Sequence, residues 1–300
     1  MRVLVATDGS HAAEHAVSLV KNVEWPAGSA IRVVAVLNEH PDMFGSPLAE
    51  ADAGYGRLED EAEREYEAIV ARALTRLDQP DLEVTGEVLE GRPATRIVHA
   101  AGDWHADLVV LGHRGLGPFR TMLLGSVSAE VVDHAPCPVL VARRDSVGEA
   151  ILGDDGSEIA ASARDYLIAH PELAPGAVEV ISVSDVTYPL TAVLATPVGA
   201  GAVGDWEASA ETIRGAAGDA AHAAAERLTA AGLTASAETR EGDPAHELVH
   251  AAHEHDSDLV IVGSHGRTGL ARLLLGSVAR NVLLEAPCSV LVVRRPSVHG

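Results

Sequence analysis

The sequence predicts an α/β fold made of two tandem, doubly wound parallel sheets of the Rossmann-like kind. Three observations support this prediction: the length, an internal repeat, and short apolar runs that alternate with longer segments of helical period. The chain has 300 residues, about twice the ~150 residues that one domain typically occupies. Hydrophobic residues make up 47% and charged residues 22% of the chain, which is ordinary for a globular protein and excludes a disordered or fibrous one.

The internal repeat divides the chain into two copies. The segment Glu90–Val127 recurs as Glu241–Val278 at an offset of 151 residues without a gap. Near the start of each copy, Thr7-Asp8-Gly9-Ser10 corresponds to Asp154-Asp155-Gly156-Ser157 at an offset of 147 residues. Because each copy is long enough to own a hydrophobic core, we predict two similar domains, at residues 1–146 and 147–300.

In the first copy, Leu108–Leu111 is apolar without alternation, as in a strand that is covered on both faces. Pro93 suits the first turn of a helix, and Pro136 ends the last helix. The predicted strands are Arg2–Thr7, Ile31–Asn38, Leu82–Glu90, Asp107–Gly112 and Pro138–Ala142. The predicted helices are Ser10–Val23, Arg57–Leu77, Pro93–Trp104 and Ser126–His134.

The second copy repeats the pattern. Its predicted strands are Ala150–Asp154, Ala177–Ser184, Ala235–Arg240, Asp258–Gly263 and Ser289–Val293. Its predicted helices are Ser157–His170, Asp205–Ala231, Pro244–His255 and Ser277–Leu284. This alternation implies parallel strands with right-handed crossovers. Ligands of such sheets bind at the carboxyl ends of the strands, where the strand order reverses.

The charge balance excludes several classes of partner. Basic residues number 22 and acidic residues 44, a net charge of −22, so the chain repels nucleic acid and anionic lipid at long range. No apolar run approaches the ~20 residues of a membrane-spanning helix, and Met1–Ala6 is too short for a signal sequence. With only two cysteines, Cys137 and Cys288, we expect a cytoplasmic protein without disulfides.

A glycine-rich loop follows the fourth predicted strand of each copy. Gly112-His113-Arg114-Gly115 is followed by nine residues and then Gly125-Ser126, and the second copy has Gly263-Ser264-His265-Gly266 and Gly276-Ser277 at the same spacing. Glycines let backbone N–H groups converge on an oxygen-rich ligand, and a helix N-terminus adds unpaired N–H groups. The pattern therefore predicts a phosphate cradle. The arginines at 114, 120, 267 and 272 could add positive charge.

Two plainer interpretations stay open at this point. The glycines could merely turn the chain after a strand, with Ser126 as the N-cap of the next helix. Asp8 and Asp155, at the ends of the first strands, could bind a ribose, an adenine amino group or Mg²⁺. They could equally be helix N-caps, since Asp-Gly-Ser precedes an apolar helix. In the second copy Asp154 replaces Thr7, and two adjacent carboxylates would weaken the approach of an anion.

These motifs resemble the universal stress protein family, in a tandem form that covers essentially the whole chain. The resemblance implies a five-stranded parallel sheet of order 3-2-1-4-5 in each copy and ATP binding, alone or with Mg²⁺. It implies an adenine and ribose pocket at Thr7, Asp8 and Val36. It implies a phosphate cradle at Gly112, His113, Arg114, Gly115, Gly125, Ser126 and Val127. The matching positions in the second copy are Asp154, Asp155, Val183, Gly263, Ser264, His265, Gly266, Gly276, Ser277 and Val278.

The family resemblance also implies pairing through the fifth strands. Val139–Val141 and Val290–Val292 would be exposed sheet edges in isolated domains, and such edges invite pairing. The tandem chain could satisfy both edges internally as a pseudo-dimer, and a homodimer and an unknown regulatory protein partner are further expectations.

Other reactive residues have ordinary explanations. His246, His250 and His253 share one face of a predicted helix, but without a cysteine or a paired carboxylate they make an incomplete ligand set, so we predict no metal there. His113 and His265 could contact phosphate or titrate near neutral pH, or simply be exposed. Cys137 and Cys288 are interpreted as small buried residues.

No catalytic constellation is visible, since the sequence has neither a nucleophile elbow nor a P-loop lysine. The first functional hypothesis is therefore a nucleotide-binding regulatory protein of the stress response, with hydrolysis that is slow at most. The alternatives are a weak ATPase or phosphotransferase that holds Mg²⁺ through Asp8, and a nucleotide-free dimerisation module. The long segments Glu39–Tyr55 and Asp185–Asp205 are predicted loops that could cover the nucleotide or bind partners.

Overall fold

The computed structural model describes residues 1–38, 53–114, 124–185, 199–264 and 275–294. The chain forms two compact units, one of Met1–Val147 with the segment from Ser289, and one of Gly148–Cys288. Among the described residues, no helix is both long enough and apolar enough to cross a membrane.

The first unit is a parallel α/β sheet. Its strands are β1 (Arg2–Ala6), β2 (Ala30–Leu37), β3 (Glu83–Glu90), β4 (Leu108–Gly112) and β5 (Val139–Ala142). Its helices are α1 (His11–Asn22), α2 (Ala53–Leu77), α3 (Pro93–Asp103) and α4 (Ser126–His134). The strands are ordered β3-β2-β1-β4-β5, which confirms the predicted order for this copy.

The central strands carry the core of this unit. Residues 3–5 of β1 and 108–110 of β4 have no exposed surface, and Ala6 of β1 lies opposite Leu111 of β4. α1 begins after its N-cap Ser10 and buries the side chains of residues 13, 16, 17, 19 and 20 against the sheet. Strand order reverses at β1, so Thr7 and the end of β4 lie together at the switch point.

The second unit repeats this arrangement. Its strands are β6 (Ala150–Gly153), β7 (Ala177–Ser184), β8 (Thr234–Glu241) and β9 (Leu259–Gly263), ordered β8-β7-β6-β9 and all parallel. Its helices are α5 (Glu158–Ala169), α6 (Gly199–Ala230), α7 (Pro244–Glu254) and α8 (Ser277–Glu285). The fifth strand of this copy, β10 (Ser289–Val293), belongs to the first compact unit.

β10 extends the sheet of the first unit. It runs antiparallel to β5, with Val290 opposite Val141 and Val292 opposite Val139. The Ser289 hydroxyl accepts hydrogen bonds from the backbone N–H groups of Arg143 and Arg144, at 3.1 and 3.2 Å. β5, which would be an exposed edge strand in an isolated domain, is therefore paired with β10.

Most predicted elements are confirmed to within one or two residues, and the long loops are the exception. Residues 53–55 and 199–205 were predicted as loop and are helical. Each glycine costs a helix about 1 kcal/mol, but lengthening an existing helix adds one hydrogen bond per residue, so glycines near a helix end do not forbid it. Residues 39–52 and 186–198 of the predicted loops lie outside the described residues. The predicted helix Ser157–His170 ends at Ala169, and a short 3₁₀ turn at Pro171–Leu173 follows it.

The end of β4 lies in direct contact with the backbone of α1. A Cβ atom built on Gly112 would lie 2.4 Å from the Ala12 carbonyl oxygen and 2.8 Å from the Ala13 nitrogen. Backbone atoms cannot move aside as a flexible side chain can, so only glycine allows this approach.

We expect Gly112→Ala to destabilise the protein by about 1–3 kcal/mol or more, because the added methyl group separates α1 from β4. The matched control is Gly102→Ala within α3, where an added Cβ meets no atom within 4 Å. That change should stabilise the protein by roughly 0.5–1 kcal/mol, because alanine favours a helix interior. Urea-induced unfolding of both variants checks the prediction, and equal shifts in the two would contradict it.

Candidate functional site

The candidate site begins with the turn after β1. The Thr7 N–H donates to the Val34 carbonyl at 2.9 Å, which continues the β1–β2 register, and the Gly9 N–H donates to the Thr7 hydroxyl at 3.2 Å. Gly9 has a φ of 74°, a conformation that L side chains resist. Thr7 is buried, and Val36, near the carboxyl end of β2, is 7% exposed.

Asp8 supports this turn and is not a helix N-cap. Its Oδ1 atom accepts a hydrogen bond from the Ser10 N–H at 3.0 Å, and Ser10 itself caps α1 by accepting from the Ala13 N–H at 3.2 Å. In the second copy Asp155 accepts from Ser157, which caps α5 in the same way. The N-cap interpretation of the two aspartates is therefore wrong, and both carboxylates lie at the switch edge of their sheets.

The two ends of the loop between β4 and α4 are hydrogen-bonded to each other. The Gly125 N–H donates to the His113 carbonyl at 2.7 Å, and the Gly276 N–H donates to the Ser264 carbonyl at the same distance. In the first copy Ser128 donates its hydroxyl hydrogen to the Gly112 carbonyl at 2.8 Å, so α4 is tied to the end of β4. The two ends of the predicted cradle thus adjoin, in both copies.

Among the described residues, no side chain caps the N-terminus of α4. Gly125 is the N-cap residue and makes no side-chain hydrogen bond, and Ser126 is the first helical residue and exposed. Gly276 and Ser277 have the same roles at α8. The interpretation of Ser126 as an N-cap is therefore wrong. The first-turn N–H groups of α4 and α8 lack the side-chain acceptor that an N-cap serine would supply.

The glycines of the motif serve close packing rather than unusual φ angles. Among the described loop glycines, Gly112, Gly125, Gly263 and Gly276, none has a positive φ. A Cβ on Gly263 would lie 2.8 Å from the Ile159 side chain and 3.1 Å from its carbonyl oxygen, much as Gly112 meets α1. A Cβ on Gly125 would lie 3.3 Å from the Arg114 Cα. None of these four positions needs glycine for its φ freedom.

The structure brings together most of the site residues that the sequence predicts. Thr7 and Asp8 adjoin Gly112 through the β1–β4 pairing, and the loop contacts join His113 and Arg114 to Gly125 and the start of α4, with Val127 half-buried in its first turn. In the second copy Val183 lies near the carboxyl end of β7, and Val278 is half-buried in the first turn of α8. The predicted residues that lie outside the described part of the chain are Gly115, His265 and Gly266, with the arginines at 120, 267 and 272.

The comparisons with known proteins agree with this geometry. The model of the universal stress protein family matches residues 1–143 and again residues 149–294. The chain belongs to the universal stress protein family. A universal stress protein of Thermus aquaticus is 40% identical over 141 residues, which is 47% of this chain and 97% of the relative. A tandem-length universal stress protein of Mycobacterium tuberculosis is 28% identical over 326 residues, covering 98% of this chain and 95% of the relative.

A solved structure has the same fold. The crystal structure of a universal stress protein from Archaeoglobus fulgidus covers 98% of this chain and 98% of its own, with a TM-score of 0.67 and 19% sequence identity. At that identity the likeness concerns the fold alone.

His113 in the first universal stress protein domain is a neutral side chain. Its Nδ1 atom lies 3.4 Å from the Ala142 carbonyl, to which it donates, and its backbone N–H donates to the same oxygen at 3.2 Å. Burial, and then the positive charge of Arg143, lower the pKa of His113 from 6.5 to about 4. His113 therefore does not titrate near neutral pH.

A histidine–aspartate pair near this loop was not found from the sequence. His15 of α1 has its Nδ1 atom 2.6 Å from Asp145 Oδ1, and Asn22 of the same helix donates to the Asp145 carbonyl at 2.9 Å. His11 packs edge-on against His15, with ring centroids 5.1 Å apart. The two partners are 130 residues apart, so only the fold brings them together.

The second domain carries a buried ion pair where the first domain has two uncharged side chains. Asp154 is 1% exposed, and its Oδ2 atom lies 2.5 Å from Arg164 Nη1 while its Oδ1 atom accepts from the Gly156 N–H at 2.8 Å. The first domain has Thr7 and the buried Val17 at these two positions. Arg164 therefore balances the charge of Asp154, and the effect of the two adjacent carboxylates on an approaching anion stays a prediction.

The two cysteines and the histidines of α7, His246, His250 and His253 (the histidine stripe), have structural explanations. Cys137 and Cys288 are buried and form no disulfide, which confirms their interpretation, and burial raises the pKa of Cys137 to about 12. His246 and His250 stack with ring centroids 6.1 Å apart, and His250 lies 3.2 Å from Glu254.

We expect Arg164→Met to destabilise the second domain by about 3–5 kcal/mol, because it leaves the Asp154 carboxylate buried without its counter-charge. The double variant Asp154→Thr/Arg164→Val introduces the residues of the first domain. It should be neutral or more stable than the wild type, by about 1–4 kcal/mol at most. Urea-induced unfolding of both variants measures the difference, and a double variant as unstable as the single one would contradict the pairing.

We expect the stability of the first domain to fall as the pH is lowered from about 6.5 to about 4. The folded pKa of His113 is lowered to about 4, so in this window the unfolded chain binds a proton that the folded chain does not. In His113→Asn, which keeps a donor for the Ala142 carbonyl, this part of the pH dependence should disappear. His134→Asn, at an exposed position, is the control; an unchanged pH profile in His113→Asn would contradict the assignment.

Proposed function

We propose that this universal stress protein is a regulatory protein that binds an adenine nucleotide, namely ATP, and hydrolyses it slowly at most. The observation that carries the proposal is the uncapped N-terminus of α4 at the carboxyl end of β4, beside the Thr7–Ser10 turn. A helix start of this kind binds phosphate groups through its N–H groups and the positive end of its dipole. The same arrangement at Gly276 and α8 supports a second site.

The site residues have distinct proposed roles. Thr7, Asp8 and Val36 lie where the strand order reverses and would hold the adenine and ribose. The backbone from Gly112 to Arg114 and from Gly125 to Val127 would hold the phosphates, with the Ser126 hydroxyl as an additional donor. Asp155, Val183, Ser264 and Ser277 would serve in the same way in the second copy. Asp154, occupied by Arg164, would stabilise the turn rather than contact the ligand.

Slow hydrolysis is supported by the lack of a P-loop lysine in the sequence. The sequence contains a single lysine, Lys21, and it lies in the last turn of α1, at the opposite end of that helix from the Thr7–Ser10 turn. Fast phosphoryl transfer needs a cation on the transferred phosphate. Bound Mg²⁺ would supply such charge.

The regulatory role is proposed together with internal pairing of the two domains as a pseudo-dimer, supported by the antiparallel β5–β10 ladder. We also propose a cytoplasmic location, since neither Cys137 nor Cys288 forms a disulfide. A homodimer and a protein partner that senses the bound nucleotide complete the proposal.

The test is Gly125→Asp. An aspartate at the N-cap satisfies the first-turn N–H groups of α4 itself and places a negative charge where the phosphates would lie. We expect the affinity for ATP in the first domain to fall about tenfold or more while the domain stays folded. Isothermal titration and thermal unfolding measure the two quantities, and Gly276→Asp tests the second domain separately.

Gly215→Asp is the control, since it adds the same charge to an exposed position of α6 where a Cβ meets no atom within 4 Å. It should leave ATP binding unchanged. Unchanged ATP affinity in both Gly125→Asp and Gly276→Asp would contradict the cradle. Mass spectrometry of the ligand released from freshly purified, heat-denatured protein distinguishes ATP from other adenylates, and absence of binding would favour the nucleotide-free dimerisation module.

A further inference from the structure

Three metal-ligating side chains meet on one face of the second domain, away from the cradle. Glu179 is on β7, Glu238 is on β8, and His255 is the residue that ends α7. In the strand register Glu238 lies opposite Ile181, two residues along β7 from Glu179, so both carboxylates are on the same face. One ligand atom from each residue lies within 4.8 Å of the other two, and His255 Nδ1 is 3.3 Å from Glu179 Oε2.

In the first domain, different side chains stand at the positions equivalent to Glu179, Glu238 and His255. The equivalent residues there are Arg32 on β2, Glu87 on β3 and Trp104 at the end of α3. Arg32 Nη1 lies 3.7 Å from Glu87 Oε1, and its guanidinium carbon lies 4.7 Å from the centre of the Trp104 ring. A protein cation therefore lies between a carboxylate and an aromatic ring in the first domain.

The second domain replaces that cation with a carboxylate. Glu179 stands where Arg32 stands, Glu238 keeps the carboxylate of Glu87, and His255 replaces the tryptophan ring with an imidazole that can bind a metal. Two carboxylates and an imidazole then face each other without the counter-charge of the first domain. Burial, and the neighbouring Glu238 carboxyl, raise the pKa of Glu179, although His255 acts in the opposite direction.

One arginine, Arg240, pairs with Glu238 of the cluster and with carboxylates outside it. Arg240 donates to Glu238 at 2.8 Å and to Glu254 at 2.8 Å, and it lies 3.9 Å from Glu247. The single positive charge of Arg240 is therefore shared among the carboxylates of Glu238, Glu247 and Glu254, and Glu179 is a fourth carboxylate nearby. Arg240 also lies 3.5 Å from His255 Nε2, so the Nδ1 atom is the one directed to Glu179.

We propose that Glu179, Glu238 and His255 bind a divalent transition-metal ion of the Zn²⁺ class. Carboxylate oxygens and an imidazole nitrogen are ordinary ligands of such ions, and three protein ligands leave an open position for water. Zn²⁺ holds these ligands at about 2.0–2.2 Å, so the cluster must contract by on the order of 1 Å. The side chains are 22%, 33% and 43% exposed, in the order named, which gives an ion access from solvent.

The experiment is a Zn²⁺ titration of the full-length, nucleotide-free protein after dialysis against a chelator. The decisive variant is Glu179→Arg/His255→Trp, which introduces the cation and the ring of the first domain at matching positions. We expect the wild type to bind one equivalent of Zn²⁺ at this site, and the double variant to lose it while the unfolding temperature of the metal-free protein is maintained. Glu179→Gln and His255→Gln should each weaken binding about tenfold or more.

The matched control is His246→Gln/His253→Gln, which removes two histidines of the α7 stripe and leaves the cluster intact. Its Zn²⁺ affinity should equal that of the wild type. The proposal is overturned if the wild type takes up no stoichiometric Zn²⁺, or if Glu179→Gln and His255→Gln bind it as tightly as the wild type. A loss of binding in the stripe variant alone would likewise overturn it, in favour of the stripe.

Discussion

The contact between the end of β4 and the backbone of α1 determines the geometry of the first domain. Gly112 leaves no room for even one methyl group, so α1 starts directly beside the strand that precedes the glycine loop. The turn at Thr7–Ser10, which leads into α1, is thereby held next to the loop that leads into α4. Ser128 then ties α4 to the Gly112 carbonyl, so two helix starts converge at one point of the sheet edge. The second domain uses Gly263 and Ile159 in the same way.

The two domains keep this backbone arrangement and differ in their buried and half-buried polar groups. Thr7 and Val17 in one domain correspond to the ion pair of Asp154 and Arg164 in the other. A buried ion pair gains little free energy over an apolar pair, because desolvation of both charges offsets their attraction. The turn keeps the same shape in both domains, because the Gly156 N–H donates to Asp154 as the Gly9 N–H donates to Thr7. The difference concerns which side chain supports the turn and not whether the turn is formed.

Features that depend on one stretch of sequence were predictable, whereas contacts between residues far apart in the sequence were not. The strand Leu108–Gly112 is apolar at successive positions, and the repeat offset carried that assignment to the second copy, so the elements were predictable from the residues. The strand order of the first copy was predicted from the family resemblance. The reason for Gly112 was not, because it depends on α1, about a hundred residues away in sequence. The ends of Ala53–Leu77 and Gly199–Ala230 were missed because glycine weakens a helix without ending it. His15 and Asp145 carry no signal in their spacing, whereas an alignment of the two copies would have shown Arg32 replaced by Glu179.

The acidic composition explains why backbone N–H groups suit the proposed phosphate cradle. With a net charge of −22, the protein repels a polyanion at distances where salt does not screen the field. His113 adds no charge there at neutral pH, because burial and Arg143 keep it neutral. Attraction must therefore come from groups at contact distance, and backbone N–H groups meet that need because they carry no net charge and are held in place by the fold. At the proposed nucleotide site, an acidic surface combined with preorganised backbone donors favours a ligand that fits the loop over anions in general.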